Sequence, residues 1–221
     1  MITIRVPMAT LLALLCLSAC TKVHFQSESV SLGSLSGEPS IVLLSSLGSS
    51  QDFDDDDVDK CIRPAMHDVN PKLHFVPARQ FRESLYPYFT PRTTTHDLEG
   101  FKRDLDKAAV KQRIDSMGIR YVIILAKGAT ETEWQGGMMC AGGFGAGGCF
   151  GLALWDRKSE LGLAIWDLQA KSHAGNVWTE AAGKGVMPAF GLPIPLYAPA
   201  TESAVCNELG TRLAKLLSGQ E

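Results

Sequence analysis

Ile119-Arg-Tyr-Val-Ile-Ile-Leu125 is a run of seven residues, mostly β-branched and apolar, with Arg120 its one charge. It reads as a central strand, covered on both faces. A helical pattern lies directly before it. From Asp97 the apolar positions are Leu98, Phe101 and Leu105, then Val110, Ile114 and Met117, with Gly118 placed as a helix C′ residue. The stripe changes phase near Ala108-Ala109, which fits two helices or one bent helix. A helix leading at once into a buried strand signals an α/β layer.

Working outward, the same alternation recurs upstream. Ile41-Val-Leu-Leu44 is a short apolar run closed by Ser-Ser-Leu-Gly-Ser-Ser, a buried strand and a turn. Leu73-His-Phe-Val76 is a further strand. Pro77 suits the first turn of the helix that follows, with Phe81, Leu85 and Tyr88 on its apolar face and Pro87 and Pro91 ending it. Between these strands stands Asp52-Phe-Asp-Asp-Asp-Asp-Val-Asp59. An EF-hand loop would need a central glycine and a distal Glu, and both are missing. Carboxylates at a helix amino terminus are the better reading, so no metal site is expected. The nearest approach to metal ligands is Asp54 with Asp56. Val58, Ile62, Ala65 and Val69 continue as a helical stripe with Cys61 beside it, and Pro64 predicts that this helix is short or kinked.

Downstream, Gly151-Leu-Ala-Leu-Trp-Asp156 and Gly162-Leu-Ala-Ile-Trp-Asp167 repeat at a spacing of eleven, with Arg157-Lys-Ser-Glu160 between them. Two antiparallel strands joined by that polar turn are expected, with Trp155 and Trp166 as paired core or face aromatics. A third strand is expected through Asn176-Val-Trp-Thr-Glu180. Thr201 caps a terminal helix whose stripe is Cys206, Leu209, Leu213 and Leu216. The predicted fold is therefore α/β with α+β character in its second half. It has a mixed sheet with helices packed on it, an antiparallel hairpin in the C-terminal half and a terminal helix.

Cys140-Ala-Gly-Gly-Phe-Gly-Ala-Gly-Gly-Cys149 contains G-x-G-x-x-G. A dinucleotide loop must follow a strand and open a helix, but this one leads into a strand-like run. Glycine fills five of the eight positions between the cysteines, as a small closed ring needs. A disulfide Cys140–Cys149 is expected, which leaves Cys61 for Cys206. There is no C-x-x-C, and the histidines at 24, 67, 74, 96 and 173 are scattered, so zinc is not expected.

The amino terminus sets the compartment. Arg5 is followed by the apolar run Met8–Leu17 and then Leu17-Ser-Ala-Cys20, and no acid precedes Glu28. The run is too short to span a bilayer and has the form of a signal h-region. The last four residues resemble the bacterial lipobox. That resemblance implies cleavage before Cys20 and lipid on its thiol and amino group, and Thr21 in place of Asp implies the outer membrane. The expected organisation is signal peptide 1–19, lipidated Cys20 with a flexible tether to 39, and a single domain over 40–221. Loss of residues 1–19 removes one Arg and no acid, taking the formal charge from -3 to -4. That balance argues against nucleic-acid binding.

Motifs for catalysis are missing: no G-x-S-x-G, no H-E-x-x-H and no Walker A stretch. His74, inside an apolar strand, reads as structural. The element order, with Asp167 to Gly175 forming a turn after the Tyr-Val-Ile strand, resembles the small α/β domain of periplasmic lipoproteins. That group includes the curli-secretion lipoprotein, the amino-terminal domain of TolB and the lipoprotein activators of cell-wall synthases. The resemblance implies a membrane-anchored accessory domain on the periplasmic face of the outer membrane, working through an envelope protein partner and without cofactor. It sets no oligomeric state. The rival readings are a periplasmic small-molecule or metal binding module, and a hydrolase with an unrecognised site.

Overall fold

All four apolar residues of β2 (Ser40–Leu44) are buried. A strand can hide both faces only if helices cover both sides of its sheet. In the computed structural model, which describes residues 21–28, 30, 40–45, 55–88, 98–143 and 146–219, β2 lies parallel between two strands. One is β3 (His74–Val76) and the other β4 (Ile119–Gly143), so that Ile41 stands opposite Phe75 and Tyr121. The sheet is completed by β1 (Lys22–Glu28), β5 (Ala146–Asp167) and β6 (Ser172–Pro193), in the order β1-β6-β5-β4-β2-β3. Only two residues join β4 to β5 and four join β5 to β6. Connections that short reverse the chain, because a parallel return needs a crossover of a dozen or more. The sheet is therefore mixed, and the α/β class expected from the sequence holds.

The described helices are α1 (Asp55–Val69), α2 (Ala78–Ser84), α3 (Leu98–Leu105), α4 (Ala108–Ser116) and α5 (Thr201–Leu217). The chain divides into two compact units. The helix-bearing unit comprises His24–Ala129, Glu160–Glu180 and Val205–Glu221. Val42, Leu44, Val122, Ile124 and Trp166 share one core with Phe81, Leu85, Phe101, Val110 and Ile114 of α2 to α4 and the turn after α2. Trp166 meets Phe101 edge to face, with centroids 5.7 Å apart. Ile41 and Leu43 alternate to the other side of β2 and are equally buried, as are Ile62 and Met66 of α1 and Leu209 and Leu213 of α5. Gly118, at φ 64°, follows α4 in the left-handed conformation that a C′ glycine supplies.

The hairpin unit comprises Met1–Val23, Thr130–Ser159 and Ala181–Ala204. Its framework is the continuation of β4, β5 and β6.

Several expectations are corrected. The two GLA-x-WD copies are not two strands; both lie in β5, which is 22 residues long. Arg157-Lys-Ser-Glu160 holds no Gly, Pro, Asn or Asp to drive a reversal, and its one turn-favouring residue, Ser159, is buried and bonded to Thr201 and Thr130. The chain turns after Asp167 instead, where the Asp167 carboxylate accepts the backbone N–H groups of Gln169 at 2.9 Å and Ala170 at 3.0 Å. Trp155 and Trp166 are accordingly not a pair. The tether over 20–39 is too long a reading at its start, because Lys22–Glu28 is the edge strand β1 beside β6. Its side chains are almost all exposed, so it shows none of the apolar alternation that marks a strand. Helix α1 runs 15 residues with Pro64 inside it, so it is not short; burial of Val58, Ile62, Ala65 and Met66 holds it together. The strand read over 119–125 is the first part of a 25-residue strand.

Candidate functional site

The hairpin unit departs most from an ordinary soluble surface. Residues 134–155 contain no Asp, Glu, Lys or Arg, and neither do residues 185–201. In the structure these are the hairpin-end portions of β4, β5 and β6 and the chain after β6. Met139 is 83 % exposed and Phe190 85 %, and Phe150, Leu152, Leu192 and Leu196 are also open to solvent. Leu152 and Leu154 occupy one face of β5, while Ala153 and Trp155 alternate to the other and are buried. Among the described residues, Tyr86 is the one large exposed apolar side chain that lies in the other unit.

Charges begin where the apolar end stops. Lys184 stands 3.8 Å from Asp156, and Arg157 pairs with Glu202 at 2.7 Å. Lys22, Glu131, Glu133 and Lys158 line the same groove as Asp156 and Lys184. The rings of Trp134 and Trp155 lie at this border, with centroids 5.0 Å apart. A methyl group on Gly185 would fall inside the Trp155 indole, so this glycine lets the ring lie against β6. Below the border Ser159 is buried and bonds the Thr201 hydroxyl at 2.8 Å and the Thr130 hydroxyl at 3.1 Å. Thr21, the first described residue, sits in this unit with its hydroxyl 3.5 Å from that of Tyr197.

Cys140 is bonded to Cys149 across the β4–β5 turn, with 4.0 Å between Cα atoms. Closing a ring of about ten residues removes about 3 kcal/mol of unfolded-chain entropy. Replacing both cysteines with serine is expected to speed amide exchange over 138–151 by tenfold or more. Unchanged protection there would show that the clip does not hold the hairpin end.

In the helix-bearing unit Cys61 is bonded to Cys206. Asp55 opens α1 and accepts four hydrogen bonds. Two come from the Ser45 N–H at 2.7 Å and the Ser45 hydroxyl at 2.8 Å, and two from Arg82, Nε at 2.8 Å and Nη2 at 3.0 Å. Burial pushes its pKa up, but these bonds and the Arg82 charge outweigh burial and hold the carboxyl below its ordinary range. Asp56, one of the two acids nearest to a metal-ligand reading, is exposed on the first turn; Asp54 lies outside the described residues, as does Cys20. Among the described residues no group of three His, Cys, Asp or Glu side chains is placed to hold a metal ion.

His74 is not enclosed in its strand. It is exposed, and Nδ1 lies 3.2 Å from the Ser40 hydroxyl. That is the nearest approach to a nucleophile–base pair, but among the described residues no carboxylate is bonded to its other ring nitrogen. A dyad without an orienting group, open to water, has none of the preorganisation that a catalytic serine needs. His173 bonds Asn176 at 3.1 Å and packs on Trp166. The strongest feature, the apolar end of the hairpin unit, escaped residue-by-residue reading because its glycines break up any periodicity. Its signal is the 22-residue stretch free of charge.

No helix among the described residues is long and apolar enough to cross a membrane. No family model and no curated protein matches the chain. Among solved structures it is similar to the PelC dodecamer from Paraburkholderia phytofirmans, at 12 % identity over 89 % of this chain and 98 % of that one, with a TM-score of 0.40. It is also similar to a single-residue variant of that dodecamer in a second crystal form, at 13 % identity over 91 % and 98 % of the two chains, with a TM-score of 0.36.

Proposed function

We propose that the chain is a lipid-anchored accessory protein of the bacterial cell envelope, acting by docking and not by catalysis. Its docking surface is the charge-free end of the hairpin unit, bedded in the membrane that holds its lipid. The Leu17-Ser-Ala-Cys20 lipobox supplies the anchor, and Thr21 in place of Asp assigns it to the periplasmic face of the outer membrane.

The carrying observation is the division of the hairpin unit into an uncharged apolar end and a charged border. Large apolar side chains left in water mark an interaction site. An apolar band closed by aromatics and then by charges is the profile of a surface seated at a membrane interface. Position supports the same occupant. Thr21, the residue after the proposed lipidated cysteine, belongs to this unit, with its hydroxyl 3.5 Å from that of Tyr197.

Two measurements test the reading separately. Labelled palmitate is expected to enter the native chain and not Cys20→Ala; label in the variant would remove the lipoprotein assignment. The unlipidated chain 20–221 carrying Cys20→Ala is expected to float with protein-free phospholipid vesicles. Adding Phe150→Asp and Phe190→Asp should cut that fraction about tenfold, the equivalent of 1.4 kcal/mol. Equal flotation of both proteins would overturn the apolar end as the membrane surface. Failure of the parent to float, with crosslinks in cells from Phe150 to an envelope protein, would assign the surface to a protein partner.

A further inference from the structure

One face of β5 grades from apolar to charged within the hairpin unit. Successive side chains of a strand alternate, so Leu152, Leu154 and Asp156 share a face, and the two leucines are 46 % and 37 % exposed. The same face continues onto the neighbouring strands. Gln135 of β4 donates from Nε2 to the Asp156 carboxylate at 2.9 Å, and alternation puts Glu133 and Glu131 on that side with it. Lys184 of β6 stands across from them, 3.8 Å from Asp156 and beyond hydrogen-bond reach. Lys22 of β1 lies outside β6. Lys22, Lys184, Asp156, Glu131 and Glu133 line one groove of about 440 Å³. Its charges are segregated. The strand order β1-β6-β5-β4 puts the two lysines on one flank and the two glutamates on the other, with β6 and β4 two strand spacings apart, about 10 Å. Arg157 and Lys158 complete the rim and are already engaged within the fold.

We propose that this groove seats the headgroup of a phospholipid bearing a primary amine, with an acyl chain against Leu152 and Leu154. The site deepens the docking role and rests on the apolar end lying in the membrane. A zwitterionic headgroup has the layout of the groove: phosphate toward Lys22 and Lys184, ammonium toward Glu131 and Glu133, with charge-assisted hydrogen bonds at both ends. A headgroup with a phosphate alone would leave the glutamates facing an anion. The amine is primary because an –NH₃⁺ group brings three donors to carboxylate acceptors. A quaternary ammonium brings none and is held by aromatic faces, and the groove has no aromatic side chain in its lining. The two leucines select the lipid over its free headgroup, since an acyl chain covers apolar surface that a soluble amine would leave in water. Depth agrees. Trp134 and Trp155, next in sequence to Glu133 and Asp156, pair at the border of the apolar end, the level at which interfacial aromatics and headgroups meet.

The test is flotation of the mature chain 20–221 carrying Cys20→Ala with three kinds of vesicle. One is phosphatidylcholine alone; the others have half of it replaced by phosphatidylethanolamine or by phosphatidylglycerol. Phosphatidylethanolamine is expected to raise the bound-to-free ratio about fivefold over phosphatidylcholine, the effect of one or two exposed charge pairs, and phosphatidylglycerol to give no gain. Glu131→Gln with Glu133→Gln should abolish the preference and leave binding to phosphatidylcholine unchanged. Both side chains are exposed, so the fold is not at stake, and a gain due only to looser lipid packing would survive in this variant. Excess glycerophosphoethanolamine, the same headgroup without chains, should not displace the protein. Equal flotation with phosphatidylcholine and phosphatidylethanolamine, an equal gain with phosphatidylglycerol, an undiminished preference in the double variant, or displacement by the free headgroup would each overturn the site and leave the membrane reading standing. No flotation with any of the three vesicles would overturn both.

Discussion

Replacing Cys61 and Cys206 together with serine is expected to lower the unfolding free energy of the helix-bearing unit by about 5 kcal/mol. The bond joins positions 145 residues apart, and the unfolded-chain entropy removed by a cross-link rises with the loop it closes. Both cysteines are only half-buried, so serine adds no new unsatisfied group in the core. The loss should therefore be the cross-link itself. Helices α1 and α5 also touch directly. A Cβ on Gly210 would come within 2.7 Å of the Ile62 carbonyl and 2.8 Å of the Ala65 Cβ. This contact survives the substitution, so the folded geometry should too. Since domains of this kind are stable by about 5–15 kcal/mol, the double variant should sit near the edge of folding. Urea unfolding followed by far-ultraviolet dichroism reads the effect, and reductant should bring the native chain to the same midpoint. Matching midpoints for the native and doubly substituted chains under oxidising conditions would refute the claim.

Legibility in the sequence followed burial. Ile41–Leu44 and Ile119–Leu125 are readable as strands because helices cover both of their faces, and so their residues are apolar with Arg120 the one exception. The hairpin turn went to the wrong place for the complementary reason. Arg157, Ser159 and Glu160 are polar and look like a turn, yet each has a partner inside the fold, Glu202, Thr201 and Lys127 respectively. Periodicity counts polarity and cannot see a partner more than thirty residues away in the chain. β1 was unreadable because an edge strand with exposed side chains has no apolar face to display. The glycine-rich loop was readable because a ring closed by two cysteines has its own local chemistry. The run of acids over 52–59 signalled a helix start, and α1 does begin at Asp55. Nothing local announced that Asp55 would also hold Arg82.

That ion pair carries the second large effect. Asp55→Ala is expected to cost about 3 kcal/mol at pH 7, near the lower end for breaking a buried pair, because the Arg82 guanidinium loses the bidentate Asp55 carboxylate. The two side chains are 23 % and 27 % exposed, Asp55 the lower, so water relieves part of the penalty. Ser45 loses its acceptor as well, which unties the end of β2 from the start of α1. The pH dependence follows from the lowered pKa. Burial alone would raise it, but Arg82 and Ser45 dominate, and the folded carboxyl holds its charge below the range of the unfolded one. A carboxylate of this kind contributes fully above its unfolded pKa, about 3.9, and the contribution disappears as pH falls through the folded value. Asp55→Asn separates the parts. The amide oxygen can still accept from Ser45, but it cannot pair with Arg82 as an ion. The native advantage over Asp55→Asn should therefore be constant from pH 7 down to about pH 4 and then shrink in acid. Urea midpoints measured between pH 2 and pH 7 on both proteins test this. An advantage that persists undiminished at pH 2 would show that the charge on Asp55 is not what fastens α1 to the sheet.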